Sequence, residues 1–354
     1  MKIGIDLRAL LSGKVSGVPI FTREVVVEMI KSSEHEFVLF LVGWDKRYAK
    51  IFDQFDGPNV KKIFWRVPNR IFNFSQFFMP WPKVDLGVDV FFMPDMRPIN
   101  LPKKVKKVCM CHDLSYLRFP HFFSLKSRFW YLLNRPKKYF REASKVISVS
   151  HFTVREVKEL IGVESSVVYE APCLSGGSGE VVKGKYLLSL STIEPRKNLK
   201  RVIEAFEKAD LDGVELIVAG DFDNRVFAKL KLPEVNCVRF IGHVPESDKE
   251  ALYKSALGLV YVSLYEGFGL PVLEAFQCGC PVLTSKDSPM QEIAGDLAIY
   301  ADPLDIVAIS DGMKKLVSLN GDRQKLIAKA NEFSWEKTAK EILLILSEVV
   351  VDKN

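Results

Sequence analysis

Short apolar runs of strand length recur along the chain, most of them separated by stretches with helical periodicity. Residues 2–6 predict a strand. A polar, glycine-containing loop over residues 11–17 follows, and an apolar-periodic run over residues 20–30 then predicts a helix. Residues 37–42 are continuously apolar, as expected of a strand buried on both faces of a parallel sheet. Residues 88–93, 105–111 and 146–149 repeat that pattern. The segment 172–180 is dense in glycine and serine and poor in apolar residues, which marks a linker. Beyond it the alternation restarts: strands over 186–190, 214–219, 238–241, 257–262 and 282–284, helices over 199–209 and 247–255 and from Pro271. Alternating strands and helices predict a doubly wound parallel sheet. Two such units should leave a cleft between the carboxyl edges of their sheets, and ligands of open α/β sheets sit at those edges.

Composition narrows the class without changing this picture. The 354 residues suit two domains, and 48% hydrophobic with 27% charged residues is an ordinary globular balance. The apolar runs are well short of the roughly 20 residues that span a bilayer, and the acid at Asp6 interrupts any apolar leader, so export is not expected. Six cysteines in so long a chain predict reduced thiols and a cytoplasmic setting. Charge is uneven: residues 1–180 carry 28 Lys and Arg against 18 Asp and Glu, residues 181–354 carry 22 against 26, and the sum is the net +6. Twelve basic residues between Lys103 and Lys145 face Asp113 and Glu142 alone. Such a patch fits an anionic partner, or simply a solvated face.

Three segments carry candidate chemistry. In Tyr265-Glu-Gly-Phe-Gly-Leu-Pro-Val-Leu-Glu274, the loop Gly267-Phe268-Gly269-Leu270 would bring backbone amides to a ligand at a helix start, a site suited to phosphate. Glu266 in the loop and Glu274 in the first turn would repel a phosphate they touched. They make better sense as acceptors for hydroxyls flanking one. The plainer account makes Glu274 a helix-start charge and Glu266 an exposed loop acid. In Ser191-Thr-Ile-Glu-Pro-Arg-Lys-Asn198, Arg196 and Lys197 stand at a helix entrance and can neutralise a diphosphate. The alternative is a basic surface turn with Asn198 as helix cap. Cys111-His112-Asp113 ends a strand and would put His112 in the cleft, unless it is a histidine bonded to backbone. Cys109-Met-Cys111-His112 lacks a second ligand pair at metal-site spacing, and no dinucleotide or P-loop glycine motif occurs, which excludes a typical dehydrogenase and NTPase.

The run from Phe240-Ile-Gly-His-Val-Pro245 through the Glu266/Glu274 segment, Cys280-Pro-Val282 and Glu292-Ile-Ala-Gly295 resembles the donor-binding half of retaining family-4 glycosyltransferases of GT-B fold. The two acids match that family's E-x7-E signature, and Glu194-Pro-Arg-Lys-Asn198 resembles its mannosyltransferase-like members. His112-Asp-Leu, the Gly13/Gly17 loop near the phosphate or acceptor, and Phe333-Ser-Trp-Glu336 match more loosely. The resemblance implies an N-terminal acceptor-side Rossmann-like domain over 1–172, a linker over 173–184, a nucleotide-sugar domain over 185–335, and a helix over 336–354 packing back on the N-terminal domain. It also implies that Glu266 holds the donor sugar's hydroxyls and Glu274 the ribose. Arg196, Lys197 and the amides of Phe268 to Leu270 take the diphosphate, Gly242-His243-Val244 the base, and His112 the sugar near the reacting carbon. Where many members carry a further arginine, this chain has Thr192.

The expected activity is metal-independent, retaining transfer of a hexose, mannose first, from a GDP- or UDP-sugar, with no cofactor. The acceptor would be a saccharide or lipid-linked glycan of cell-envelope polysaccharide such as lipopolysaccharide. Nine Phe or Trp residues between Phe64 and Phe92, and aromatics interleaved with bases over 119–140, fit peripheral contact with the inner membrane face. A core with snorkelling basic stems fits them too. No nucleic-acid motif accompanies the charge. A GT-B sugar-nucleotide epimerase and a silent nucleotide-sugar binder are the rival functions.

Overall fold

The computed structural model describes residues 1–12, 17–79, 83–174, 176, 182–222, 226–228, 230–233, 235–319 and 321–351. They form two compact units. The first comprises Met1–Leu114, Trp130–Glu170 and the C-terminal residues from Ser334, the second Ser115–Phe129 and Ala171–Phe333.

Seven parallel strands make the sheet of the first unit: β1 (Lys2–Asp6), β2 (Glu36–Val42), β3 (Val60–Trp65), β4 (Val90–Met93), β5 (Lys106–Cys111), β6 (Lys145–Ser148) and β7 (Ser165–Val167). Their spatial order is β3-β2-β1-β4-β5-β6-β7, with Ile3 paired to Phe37 on one side and to Val90 on the other. Helices cover the sheet on both faces in a doubly wound arrangement, so central strands must be apolar throughout; Phe37 to Val42 are all fully buried. The helix Trp335–Val351 lies in this unit, packed on the helix Gly17–Ser32 and on β4 and β5. Its buried residues, Thr338, Ala339, Ile342, Leu343, Ile345 and Leu346, follow helical spacing along one face.

The second unit repeats the plan with β8 (Lys185–Leu190), β9 (Val214–Ala219), β10 (Val238–Gly242), β11 (Gly258–Tyr261), β12 (Val282–Ser285) and β13 (Ile299–Ala301), ordered β10-β9-β8-β11-β12-β13. The order reverses between β8 and β11, which makes their carboxyl ends the switch point where ligands of such sheets bind. Leu187, Leu216, Val260 and Leu283 anchor the core beneath it.

One difference from the sequence order concerns Ser115–Phe129, expected within the N-terminal domain. Ser124 donates its N–H to Val226 O at 2.9 Å, Ala228 donates to Phe122 O at 2.8 Å, and Phe119 meets Tyr265 edge-on at 5.6 Å. Backbone pairing and aromatic packing thus tie this segment to the second unit. The strands β3, β7 and β13 carry no strand signal in the sequence reading, and all three lie at sheet edges.

Candidate active site

The loops leaving β8 and β11 meet at the switch point. After β8 the chain makes a short 3-10 turn, Pro195–Lys197, and Asn198 takes a left-handed conformation with φ 60° before the helix Leu199–Ala209. Asn198 stands at the N-cap position that sequence suggests, but its side chain makes no capping bond. Its amide donates to Val262 O at 3.1 Å and to Pro303 O at 2.6 Å, pinning the basic turn against the end of β11. Leu264 N–H completes the seam by donating to Arg196 O at 2.7 Å. On the other side of β8, Gly220 follows β9 at φ 139°, and a Cβ there would lie 1.8 Å from Ser191 O. Only glycine lets these two turns approach so closely.

That geometry delivers Arg196 and Lys197 to Glu266. Lys197 Nζ donates to Glu266 Oε1 at 2.6 Å, and Arg196 donates from one terminal nitrogen to Glu266 Oε2 at 3.1 Å and from Nε to Glu194 Oε1 at 2.7 Å. Tyr261 OH accepts from Lys197 Nζ at 2.7 Å and donates to Glu266 Oε1 at 2.8 Å. Glu266 is only 5% exposed and Glu194 1%, so neither an exposed loop acid nor a solvated basic turn describes these residues. Burial pushes the Glu266 carboxyl up, but Lys197 and Arg196 outweigh it and bring it down to about 2. Burial wins at Glu194, raising its carboxyl despite Arg196 and Lys197. Its Oε2 has no hydrogen-bond partner among the described residues.

Glu274 belongs to a separate arrangement. The helix Leu270–Gln277 starts one residue before Pro271, so Glu274 is its fifth residue and not a first-turn acid. It is buried against the helix Glu246–Ser255, where Tyr253 OH donates to Oε2 at 2.8 Å and Lys249 Nζ lies 3.8 Å from Oε1. Burial raises its carboxyl despite Lys249. Gly267, Phe268, Gly269 and Leu270 form the turn into that helix. Gly269 has φ 111°, and a Cβ on it would meet Met290 Cγ at 2.7 Å, while Phe268 is buried against Phe333.

Gly242, His243 and Val244 lie at the carboxyl end of β10, on the same sheet edge. Three strand intervals separate β10 from β11, roughly 14 Å at about 4.8 Å each. That is the reach of an extended nucleoside diphosphate lying across the edge. His243 is exposed, its Nδ1 3.8 Å from Asp221.

His112 follows β5 in the first unit. Its Nε2 contacts Pro94 O and its Nδ1 contacts Glu170 Oε1, both at 2.8 Å, and Phe21 packs edge-on against the ring. A carbonyl only accepts, so Nε2 carries a proton. Burial works against the charged ring, but Glu170 prevails and raises the imidazole's pKa, favouring a proton on Nδ1 as well. Gly17 opens the helix Gly17–Ser32, and Gly13 lies outside the described residues. Sequence reasoning did not single out Tyr261, Glu170, Tyr253 or Lys249. A tyrosine ending an otherwise apolar strand was the one available signal for Tyr261. The other three come from elements distant in sequence.

Two doubly wound parallel sheets in one chain, with a buried cation–carboxylate cluster at the switch point of the second, define the GT-B class of glycosyltransferases. Residues 175–333 match the family model for glycosyl transferases group 1. The chain is 31% identical over 265 residues to the O-antigen chain mannosyltransferase B of Escherichia coli, covering 67% of this chain and 69% of that protein. It is 29% identical over 276 residues to the E. coli serotype-specific mannosyltransferase WbdA, where it spans 33% of a longer protein. Among solved structures, a sucrose-phosphate synthase from Thermosynechococcus elongatus superposes with TM-score 0.68 over 99% of each chain at 15% identity, a likeness of fold. The chain belongs to the group 1 glycosyltransferases, in their family-4-like, mannosyltransferase-related branch, and is a glycosyltransferase.

Proposed function

We propose that the chain transfers a hexose, with mannose the first choice, from a nucleoside-diphosphate sugar to a saccharide or lipid-linked glycan acceptor. The transfer retains anomeric configuration, requires no metal, and serves cell-envelope polysaccharide synthesis at the inner membrane face. The observation that carries this reading is the packing of Arg196 and Lys197 onto Glu266 at the switch point. Two cations beside a carboxylate suit a departing diphosphate next to a sugar whose ring gains positive charge in the transition state. Arg196 and Lys197 would take the diphosphate together with the amides of Phe268, Gly269 and Leu270 past Gly267. Glu266 would hold the sugar, Glu274 the ribose, and Gly242, His243 and Val244 the base. His112, whose imidazole pKa Glu170 raises, would contact the sugar near the reacting carbon. The O-antigen chain mannosyltransferase and the serotype-specific mannosyltransferase named above support mannose and an envelope glycan.

No helix among the described residues is long and apolar enough to cross a membrane. The helix Asn69–Phe78 instead exposes Ile71, Phe74 and Phe78, with Met79 beyond it, beside the exposed Arg66 and Arg70. These residues supply the peripheral membrane contact in our reading.

The test is a thermal-shift screen against GDP, UDP and ADP and their hexose conjugates without added metal. A ligand at 100 times its dissociation constant adds about 2.7 kcal/mol of stability. A shift with GDP-mannose above that with GDP supports the reading, and product anomers from the matching transfer assay report retention. No shift with any of them at millimolar concentration overturns it.

A further inference from the structure

We propose that Tyr261 is a positioning residue of the transfer site, holding Glu266 by Oε1 so that Oε2 keeps the acceptor capacity for the donor sugar. This rests on the reading of Glu266 as the group that binds the sugar's hydroxyls.

Tyr261 ends β11 after Leu259 and Val260, and Val262 follows; all three neighbours are buried and apolar. An aliphatic side chain would complete this core. A buried hydroxyl costs roughly 1–3 kcal/mol unless it is hydrogen-bonded, and this one is bonded twice. It accepts from Lys197 at 2.7 Å and donates to Glu266 Oε1 at 2.8 Å, while the ammonium lies 4.9 Å from the phenol ring's centroid. An ammonium only donates and a carboxylate only accepts, whereas a neutral phenol does both and can join them in one fixed triangle. Burial and the neighbouring Glu266 push the phenol's pKa well above its ordinary value, so it keeps the proton it donates.

Glu266 needs such a restraint. The last torsion of a glutamate is broad and roughly two-fold, so its rotamer leaves the carboxylate plane free to turn. Lys197 reaches it on a flexible four-carbon stem. Tyr261 reaches it from a ring with two torsions, rooted in the strand at the switch point. Oε1 accepts from both Lys197 and Tyr261, and Oε2 accepts from Arg196 at 3.1 Å. Both lone pairs of Oε1 are thereby engaged, whereas Oε2 takes one bond, from Arg196, with the buried Ser263 hydroxyl beside the carboxylate but not hydrogen-bonded to it. A freely turning carboxylate would offer the sugar either oxygen.

The experiment is a double-mutant cycle in the full chain with Tyr261→Phe, Glu266→Gln and the pair, reading GDP and GDP-mannose affinities by calorimetry. Tyr261→Phe keeps the buried ring and removes one oxygen. We expect the advantage of GDP-mannose over GDP to fall about tenfold, the worth of a hydrogen bond to a charged group. GDP affinity should stay within about twofold, and the pair should be no worse than Glu266→Gln alone, because Tyr261 acts through Glu266. The proposal is overturned if Tyr261→Phe leaves the mannose advantage intact, lowers both affinities in parallel, or adds its full loss to that of Glu266→Gln. If wild type shows no mannose advantage, or Glu266→Gln keeps it, the reading of Glu266 fails first and the role of Tyr261 falls with it.

Discussion

Neutralising Glu266 while keeping its shape separates two roles that sit on adjacent atoms. In the wild type the charges of Arg196 and Lys197 are partly spent on this carboxylate. Glu266→Gln frees them, so the affinity for a nucleoside diphosphate should hold or rise while sugar transfer falls by about a hundredfold or more, the scale of a lost transition-state contact. A parallel loss of both in calorimetry and transfer assays would contradict the division. Glu274→Gln should instead weaken nucleotide binding, since Glu274 lies apart from the cations. Acid stability carries the same signature. Because the folded Glu266 carboxyl is held at about 2, below its ordinary 4.5, it stabilises the fold above that ordinary value and loses its contribution as pH falls toward 2. Glu194 and Glu274 work in the opposite sense, because their raised carboxyls favour the folded state when protonated. Melting curves of Glu266→Gln should therefore fall less steeply than wild type below pH 4.5. Sequence made Glu266, Arg196 and Lys197 legible as candidates, because their residue types at a strand–helix junction name the chemistry. It could not show that they bond to one another across about 70 residues, nor that Tyr261 lies between them.

The turns that carry these side chains depend on two residues without chemistry of their own. Asn198→Ala removes the amide that ties the basic turn to Val262 and Pro303, leaving the buried Val262 carbonyl and the part-buried Pro303 carbonyl without that donor. That costs about 1–3 kcal/mol each at most and should loosen diphosphate binding along with the melting temperature. Gly220→Ala forces a Cβ onto Ser191 O in a backbone region nearly reserved for glycine, so it should destabilise by at least 1–3 kcal/mol. It should also displace the Ser191 turn, lowering nucleotide affinity in the same titration. Strands were legible where they are buried on both faces: β2 holds an unbroken apolar run, and β8, β9 and β12 are largely buried with apolar residues at most or half of their positions. Of the edge strands, β10 was legible and β3, β7 and β13 were not, for a physical reason. β3 has no fully buried residue and carries the exposed Lys61 and Lys62, while β7 and β13 span three residues each. Short, charged edges resist pairing with another chain, and the same features leave no hydrophobic run to read.

At the scale of the whole chain, the first unit contains both the N-terminal strands and the C-terminal helix, with the second sheet lying between them in sequence. The charge division seen along the sequence therefore follows function only loosely, because the basic segment 115–129 packs with the second unit. The exposed apolar face of Asn69–Phe78 is different, lying wholly in the first unit. Phe74 and Phe78 lie 4.8 Å apart between ring centroids yet are 56% and 58% exposed, which suits the peripheral membrane contact proposed above. Seating both in a membrane interface recovers about 1.5–3 kcal/mol each when burial is complete, and Arg66 and Arg70 add about 1 kcal/mol each against anionic lipid. The full chain should co-sediment with vesicles containing anionic lipid at low salt, and salt should release part of it. Phe74→Ser with Phe78→Ser should lower partitioning about tenfold or more and leave nucleotide affinity unchanged, because the substituted helix belongs to the other unit. Wild-type binding no stronger to anionic than to neutral vesicles, or a double variant that partitions like wild type, would remove this helix from the account of where the enzyme meets its acceptor.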